Sequence, residues 1–297
     1  MAANDCVQGA MAQLIFDGRF MPFVSFQDES VREIVNLDDQ AIRGDFQQFS
    51  ERVDIGPKRV GFTVVLEPTP VEFDTILPRC GFTYTGTNFA LSNTVGSFTV
   101  KLDRITKVHT YTLCKVKRAL IQGAKGSTPV RVTLEVIGVD ITEGNAGSIG
   151  SGTSYDVTYP PYAFTRGVTT LDSTERAVSQ FNLMVDTGAV AQFNNSVTAT
   201  TICATEIQAY FACNVPYVDT NSGLLTTPWS ATAANAITGS LVFTAAAAKV
   251  LTFTFNAAHP IARFPDIPGK SEIRLPLTYA LKRTTSASAI TGSNITA

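Results

Sequence analysis

The sequence predicts a mostly β fold made of two tandem β-sandwich or barrel domains, each with a short helix. Three observations predict it: two-residue hydrophobic alternation recurs along the chain, helix signals are sparse, and segments of the first half return in the same order in the second. Alternation with period two marks half-buried strands, because successive side chains of a strand point to opposite faces.

Taken in order, Val60, Phe62, Val64 and Leu66 share one face of a first strand. Thr69 then offers an N-cap, Pro70 fits the first helical position, and Glu72 follows three residues after the cap, which predicts a short helix stopped by Pro78. Phe98, Val100 and Leu102 oppose Ser97, Thr99 and Lys101 in a further strand. Val130, Val132, Leu134 and Val136 oppose Arg131, Thr133 and Glu135 in another. Thr, Val, Phe and Ile dominate these runs, as strands prefer. The apolar stretch from Leu241 to Ala258 is interrupted by Lys249 and several threonines, so it reads as two strands and not as a membrane span.

Compared with itself, the chain matches Arg59–Leu66 to Glu206–Cys213 at an offset of 147 residues, and Gly96–Val100 to Gly239–Phe243 at 143. Lys107–Leu113 matches Lys249–Phe255 at 142, and the strand from Val130 matches that from Ile273 at 143. Upstream, Phe16 matches Phe164 and Asp38 matches Asp186, both at 148. A period this long implies a duplicated domain and not a solenoid of ~20–50-residue units. The expected organisation is a first domain over 1–146, a Gly/Ser-rich flexible linker over 147–154, a second domain over 155–283 and a mobile tail from Thr284 to Ala297. The first 148 residues hold 32 of the 48 charged residues, so the two surfaces have diverged.

Composition narrows the function classes. With 23 Lys+Arg against 25 Asp+Glu over 297 residues, the net charge of −2 excludes a protein that binds by neutralising phosphates. Hydrophobic residues at 44% supply a sizeable core. The five cysteines Cys6, Cys80, Cys114, Cys203 and Cys213 show no paired spacing and read as reduced, mostly buried thiols. Met1 to Asp17 lacks the pattern of a signal peptide.

Sites of chemistry are scarce. Asp186-Thr187-Gly188 looks like the Asp-Thr-Gly of aspartic proteases, which need two carboxylates sharing a proton, one from each half of a duplicated β-fold. The matching Asp38 is followed by Asp39 and Gln40, so the residues that would orient a second carboxylate are missing. The alternative reading is a strand ending in a turn. His109 and Cys114 are expected on opposite faces of a strand, and His259 has no evident partner. No metal or cofactor site is expected, and the run Lys115 to Arg118 reads as a solvated strand end.

The order of these pieces resembles a family. A strand pair, Gly56-Pro57-Lys58-Arg59, a strand, the Pro68–Leu77 helix and then two long strands are similar to the tail tube domain of long-tailed, non-contractile bacteriophages. In the second half, Pro161–Phe164, Ser179–Val185 and Ala191–Ser196 also look like tube-protein segments. The resemblance spans nearly the whole chain and rests on pattern and order. It implies a structural virion protein, without catalysis or cofactor, whose rings stack into the hollow tail tube that conducts double-stranded DNA as transient cargo into the host. It further implies a tape-measure protein and tail-end proteins as partners, and no membrane. Single-domain tube proteins form hexameric rings, so a chain with two such domains would close the ring with three copies. Other readings are a capsid decoration or fibre subunit, and an aspartic-protease-like enzyme.

The stretch from Val31 to Val53 reads as a hairpin carrying Asp38, Asp39, Asp45 and Glu51. These acidic residues are expected to face the lumen or the next ring, with Arg43 and Arg52 available for pairing between rings. Asp186 joins them as the residue matched to Asp38.

Overall fold

The structure is a computed structural model and describes residues 12–36, 53–124, 129–230, 235–246, 249–261, 263–267 and 272–295. The fold is mostly β, with two short α-helices. Antiparallel ladders join nineteen of the described strands into one large sheet, and two more form a separate hairpin.

The first half opens on a hairpin of β1 (Gln13–Phe16) and β2 (Arg19–Met21). Asp17 and Gly18 turn it with positive φ values of 50° and 81°, as the tight turn of a two-residue hairpin requires. Next come β3 (Phe23–Asp28), β4 (Val31–Asn36), the long β5 (Val53–Leu66) and α1 (Pro70–Ile76). The hairpin β6 (Phe82–Thr85) and β7 (Asn88–Leu91) precedes β8 (Phe98–Asp103), β9 (Lys107–Ala124), β10 (Arg131–Gly138) and β11 (Asp140–Asn145). The second half holds β12 (Gly167–Leu171), β13 (Thr174–Arg176), β14 (Gln180–Asp186), β15 (Val190–Gln192), β16 (Thr201–Cys203) and β17 (Gln208–Pro216). It ends with α2 (Asp219–Ser230), β18 (Ile237–Ala246), β19 (Lys249–Ile261), β20 (Arg274–Leu281) and β21 (Ile290–Ile295).

Most ladders of the first half recur in the second, but the pairing of β4 with β5 does not, since β15 and β16 pair only with each other. In the first half β1 pairs with β2 and β8, β3 and β4 pair with β5, β10 pairs with β5 and β9, and β9 also pairs with β8 and β11. In the second, β12 pairs with β13 and β18, β14 pairs with β17, and β15 pairs with β16 just before β17 begins. There β20 pairs with β17 and β19, and β19 also pairs with β18 and β21. Each helix follows the same strand, α1 after β5 and α2 after β17. The β6–β7 hairpin has no counterpart among the described residues; β7 instead pairs with β21 across the halves.

Two of the sequence matches shift. Residues 59–67 and 208–216 share the same alternation of burial, and α1 and α2 begin 219 − 70 = 149 residues apart, so this segment repeats at 149 and not 147. A two-residue slip preserves which face is buried, so alternation alone does not detect it. Phe16 precedes the Asp17–Gly18 turn, and its counterpart is Leu171 before the turn of Asp172 and Ser173, not Phe164, which lies in a 3-10 turn. The strand β10 matches β20 at the expected 143, with the same burial at every position.

One continuous core runs through both halves, and Phe62, Tyr111, Phe181, Phe211, Phe243 and Phe253 are among its fully buried side chains. Fully burying each of these rings stabilises the fold by ~1.5–3 kcal/mol. Cys80, Cys114 and Cys213 are buried within it as free thiols, and burial pushes each up to about 12. Cys203 is exposed on β16, so the described thiols are mostly buried as expected, and Cys6 lies outside the described residues.

The first helix forms as its sequence dictates. Pro70 occupies the first helical turn, and the buried Glu72 carboxylate accepts the Thr69 N–H at 2.8 Å. The second half holds the short helix expected for it, at a place that the sequence does not announce. Its run of Thr, Ser and Gly has weak helical propensity, and packing of Leu224 and Leu225 with a buried Asn221 side chain bonded to the Pro216 carbonyl holds it.

Both segments expected to be flexible are tied down where described. The Gly/Ser-rich linker anchors on the first hairpin through Thr153, whose amide donates to the Gly18 carbonyl and whose carbonyl accepts the Phe20 amide, and it buries Ile149. The tail becomes β21, paired on one edge with β19 and on the other with β7. Within it, buried Asn294 donates from Nδ2 to the Pro70 carbonyl and to Asp74, and accepts the Tyr162 hydroxyl at Oδ1. Small, polar residues read as a tail, yet this one amide bonds groups of α1 and Tyr162. Asn294→Ala removes these bonds and is expected to cost about 1–3 kcal/mol in urea unfolding.

Candidate assembly interface

The hairpin expected between Val31 and Val53 has its stem in place: β4 pairs antiparallel with the start of β5, from Val31 opposite Arg59 to Asn36 opposite Val53. Val31, Ile34, Val35 and Ile55 are exposed on it. Arg59 pairs with Glu33 at 2.7 Å across the stem. At its base the Lys58 amide donates to the Val197 carbonyl, and the Lys58 ammonium pairs with Asp140. Asp38, Asp39, Arg43, Asp45, Glu51 and Arg52, which the sequence places between β4 and β5, lie outside the described residues.

Asp186 is described, and it stands where a strand ends in a turn, the alternative that the sequence offers. It ends β14, accepts the Gly188 amide at 2.9 Å in a tight turn, and pairs with Arg118 of β9 at 3.3 Å. Thr187 is buried, with its hydroxyl donating to the Val116 carbonyl at 2.7 Å. Gly188 has a φ of +58° in a space that a Cβ would share with Thr205, so turn geometry explains this glycine. The match of Asp186 to Asp38 also fails. Phe26 lies opposite Val64 and Phe181 opposite Cys213, and Val64 and Cys213 are counterparts at 149. Strand β14 therefore follows β3 by 181 − 26 = 155 residues, which sets Asp186 against Val31.

What these residues build is a junction between the halves. Residues Gln180–Asp186 of β14 pair antiparallel with Ala124–Arg118 of β9, so the sheet runs unbroken from β5 and β10 through β9 into β14, β17 and β20. Gly123 lets the strands close: a Cβ there would lie 2.7 Å from the Phe181 ring and 3.0 Å from that of Phe164. Lys117 pairs with Glu135, and Arg118 with Asp186 and Glu135, so two cations of the basic run are engaged by carboxylates in mid-strand. Among the described residues no group of His, Cys, Asp and Glu is placed to hold a metal, and no helix is long and apolar enough to cross a membrane. His109 lies 3.9 Å from Glu143 on β9, whereas Cys114 faces the core.

The outer strand β3 is clamped to β9 by Asp28, which accepts the Tyr111 hydroxyl and Arg104 Nη2, both at 2.7 Å. Burial pushes the Asp28 carboxyl up, but the hydrogen bonds from Tyr111, Ser30 and Arg104 outweigh it and hold the group below the usual aspartate range. A depressed carboxylate contributes stability that is complete above its unfolded value and lost as pH falls through the folded one.

No family profile matches the chain, and a search of curated proteins finds no match.

Two outcomes follow from this geometry. Asp28→Asn is expected to lower stability at neutral pH by about 1–3 kcal/mol and to flatten the acid limb of the stability profile below pH ~4. Gly123→Val is expected to cost ~1–3 kcal/mol by overpacking the seam against Phe181, read as a lower thermal midpoint.

Proposed function

We propose that the chain is a structural virion protein: the tube subunit of a long-tailed, non-contractile bacteriophage, built from two tandem copies of one tail tube domain. The observation that carries this reading is the recurrence of most of the first half's ladders, in chain order, with β9 of the first set stitched edge to edge to β14 of the second. A duplicated unit joined to itself in this way is a segment of a ring, since repeating one heterologous contact with a closing rotation generates cyclic symmetry. Three chains then supply six copies of the domain, and the rings stack into a tube.

Charge fits passage of DNA. A conduit must let its cargo slide, and several Lys or Arg contacts to phosphate would retain it. A net charge of −2 suits that, as does a basic run with two cations engaged by Glu135 and Asp186. In this reading Asp38, Asp39, Asp45 and Glu51, from the sequence between β4 and β5, line the lumen or meet the next ring, with Arg43 and Arg52 pairing between rings. No catalytic step or cofactor enters this function. Its partners are further copies of itself, the tape-measure and tail-end proteins, and DNA in transit.

Purified protein is expected to assemble into rings or stacked tubes in negative-stain electron microscopy. A capsid decoration protein would remain as unstacked monomers or trimers, and a protease would lose peptide cleavage on Asp186→Asn. Lys in place of Asp38, Asp39 and Asp45 is expected to slow genome release from virions, and unchanged ejection kinetics would contradict the lumen assignment.

A further inference from the structure

Resting on the tube reading, the geometry points to the ring contact itself: we infer that the end of β19 in one copy pairs antiparallel with β3 of the next, repeating between chains the β9–β14 ladder within the chain. The eight-strand run β3, β5, β10, β9, β14, β17, β20, β19 begins and ends on the strands that would make this contact.

Each end carries the counterpart of one side of the internal seam. In β14, the Thr187 amide donates to the Lys117 carbonyl at 2.9 Å, which by alternation turns the amides of Phe181, Leu183 and Val185 toward β9. Displaced by 155 residues, Phe181 and Leu183 correspond to Phe26 and Asp28. The Glu29 amide donates to the Gly61 carbonyl of β5 at 2.9 Å, so by the same alternation the Phe26 and Asp28 amides face away from β5. The groups that make the seam in β14 are thus turned outward in β3.

On the opposite end, Glu135 pairs with Arg118, and its counterpart at 143, Thr278, pairs with Ile261. Ile261, the last residue of β19, therefore stands where Arg118 stands in β9, and residues 263–267 follow it without a ladder of their own. Because Arg118 lies opposite Asp186, the register sets Ile261 opposite Val31 of the next copy. The internal ion pair is replaced by two apolar side chains, each 52% exposed in the single chain. Beyond Ile261, Ile267 is 78% exposed. Beside β3 lies an open groove of about 390 Å³ lined by Phe23, Phe26, Leu102 and Ile105, with Asp28 and Arg104 at its rim, which suits an apolar strand end from a second copy. Exposed edges and apolar side chains on both ends are what a continuing sheet would cover.

Two measurements test this contact. In hydrogen exchange on the wild-type protein, the amides of Phe26 and Asp28 are expected to slow at least tenfold on assembly into rings. Ile261→Asp is expected to raise the concentration needed for ring formation at least tenfold, with the thermal midpoint of the unassembled chain unchanged. Rings that form while those amides exchange as in the free chain, or an Ile261→Asp protein that assembles like the wild type, overturn the contact and leave the tube reading standing. A wild-type chain that forms no rings at any concentration overturns the tube reading itself.

Discussion

A strand edge is a row of unpaired amides and carbonyls, and the fold is organised around what covers it. Within the chain, β9 runs past the end of its own half far enough to give residues 118–124 to β14. That ladder joins two sets of strands into one sheet and removes two edges at once. The core on either side depends on it, since Phe181 packs over Gly123 at the seam and Phe243 packs against Phe181 5.2 Å away. The Arg118–Asp186 pair at its start is half-exposed and adds little by itself; pairs of this kind contribute ~0–1 kcal/mol. Backbone pairing and aromatic packing carry the seam.

The same logic explains why composition misleads at the chain's second half. A run of Thr, Ser, Ala and Gly beyond Thr284 has no hydrophobic stripe to announce a strand. It becomes one because β19 and β7 each offer an edge, and β21 fits between them. Gly292 allows this close approach: a Cβ there would strike the Thr252 carbonyl and the Phe89 ring. Asn294 then uses its amide to satisfy groups from α1 and from Tyr162. Small residues here mark tight packing.

Much of the fold was legible because alternation reports burial directly. The strands from Val60, Phe98 and Val130, the capped helix at Pro70 and the two strands between Leu241 and Ala258 all lie where their side-chain pattern placed them. Register was less legible, because a two-residue slip leaves every buried face unchanged. That is why the 147-residue match becomes 149, and why Asp186 aligns with Val31 and not Asp38. The helix α2 was hidden by its weak propensity. The Asp17–Gly18 pair is a turn signal in the sequence; its counterpart Asp172–Ser173 lacks the glycine but keeps the positive φ values. The seam was illegible in principle, since no local pattern states which of two similar edges a strand will meet.

The central claim is that one chain supplies two of the six units of a ring. The number of chains in that ring tests it most directly, and native mass spectrometry of isolated rings counts them. The account predicts three copies of the 31.8 kDa chain per ring. A ring of six chains, or one whose copy number is not three, would contradict it.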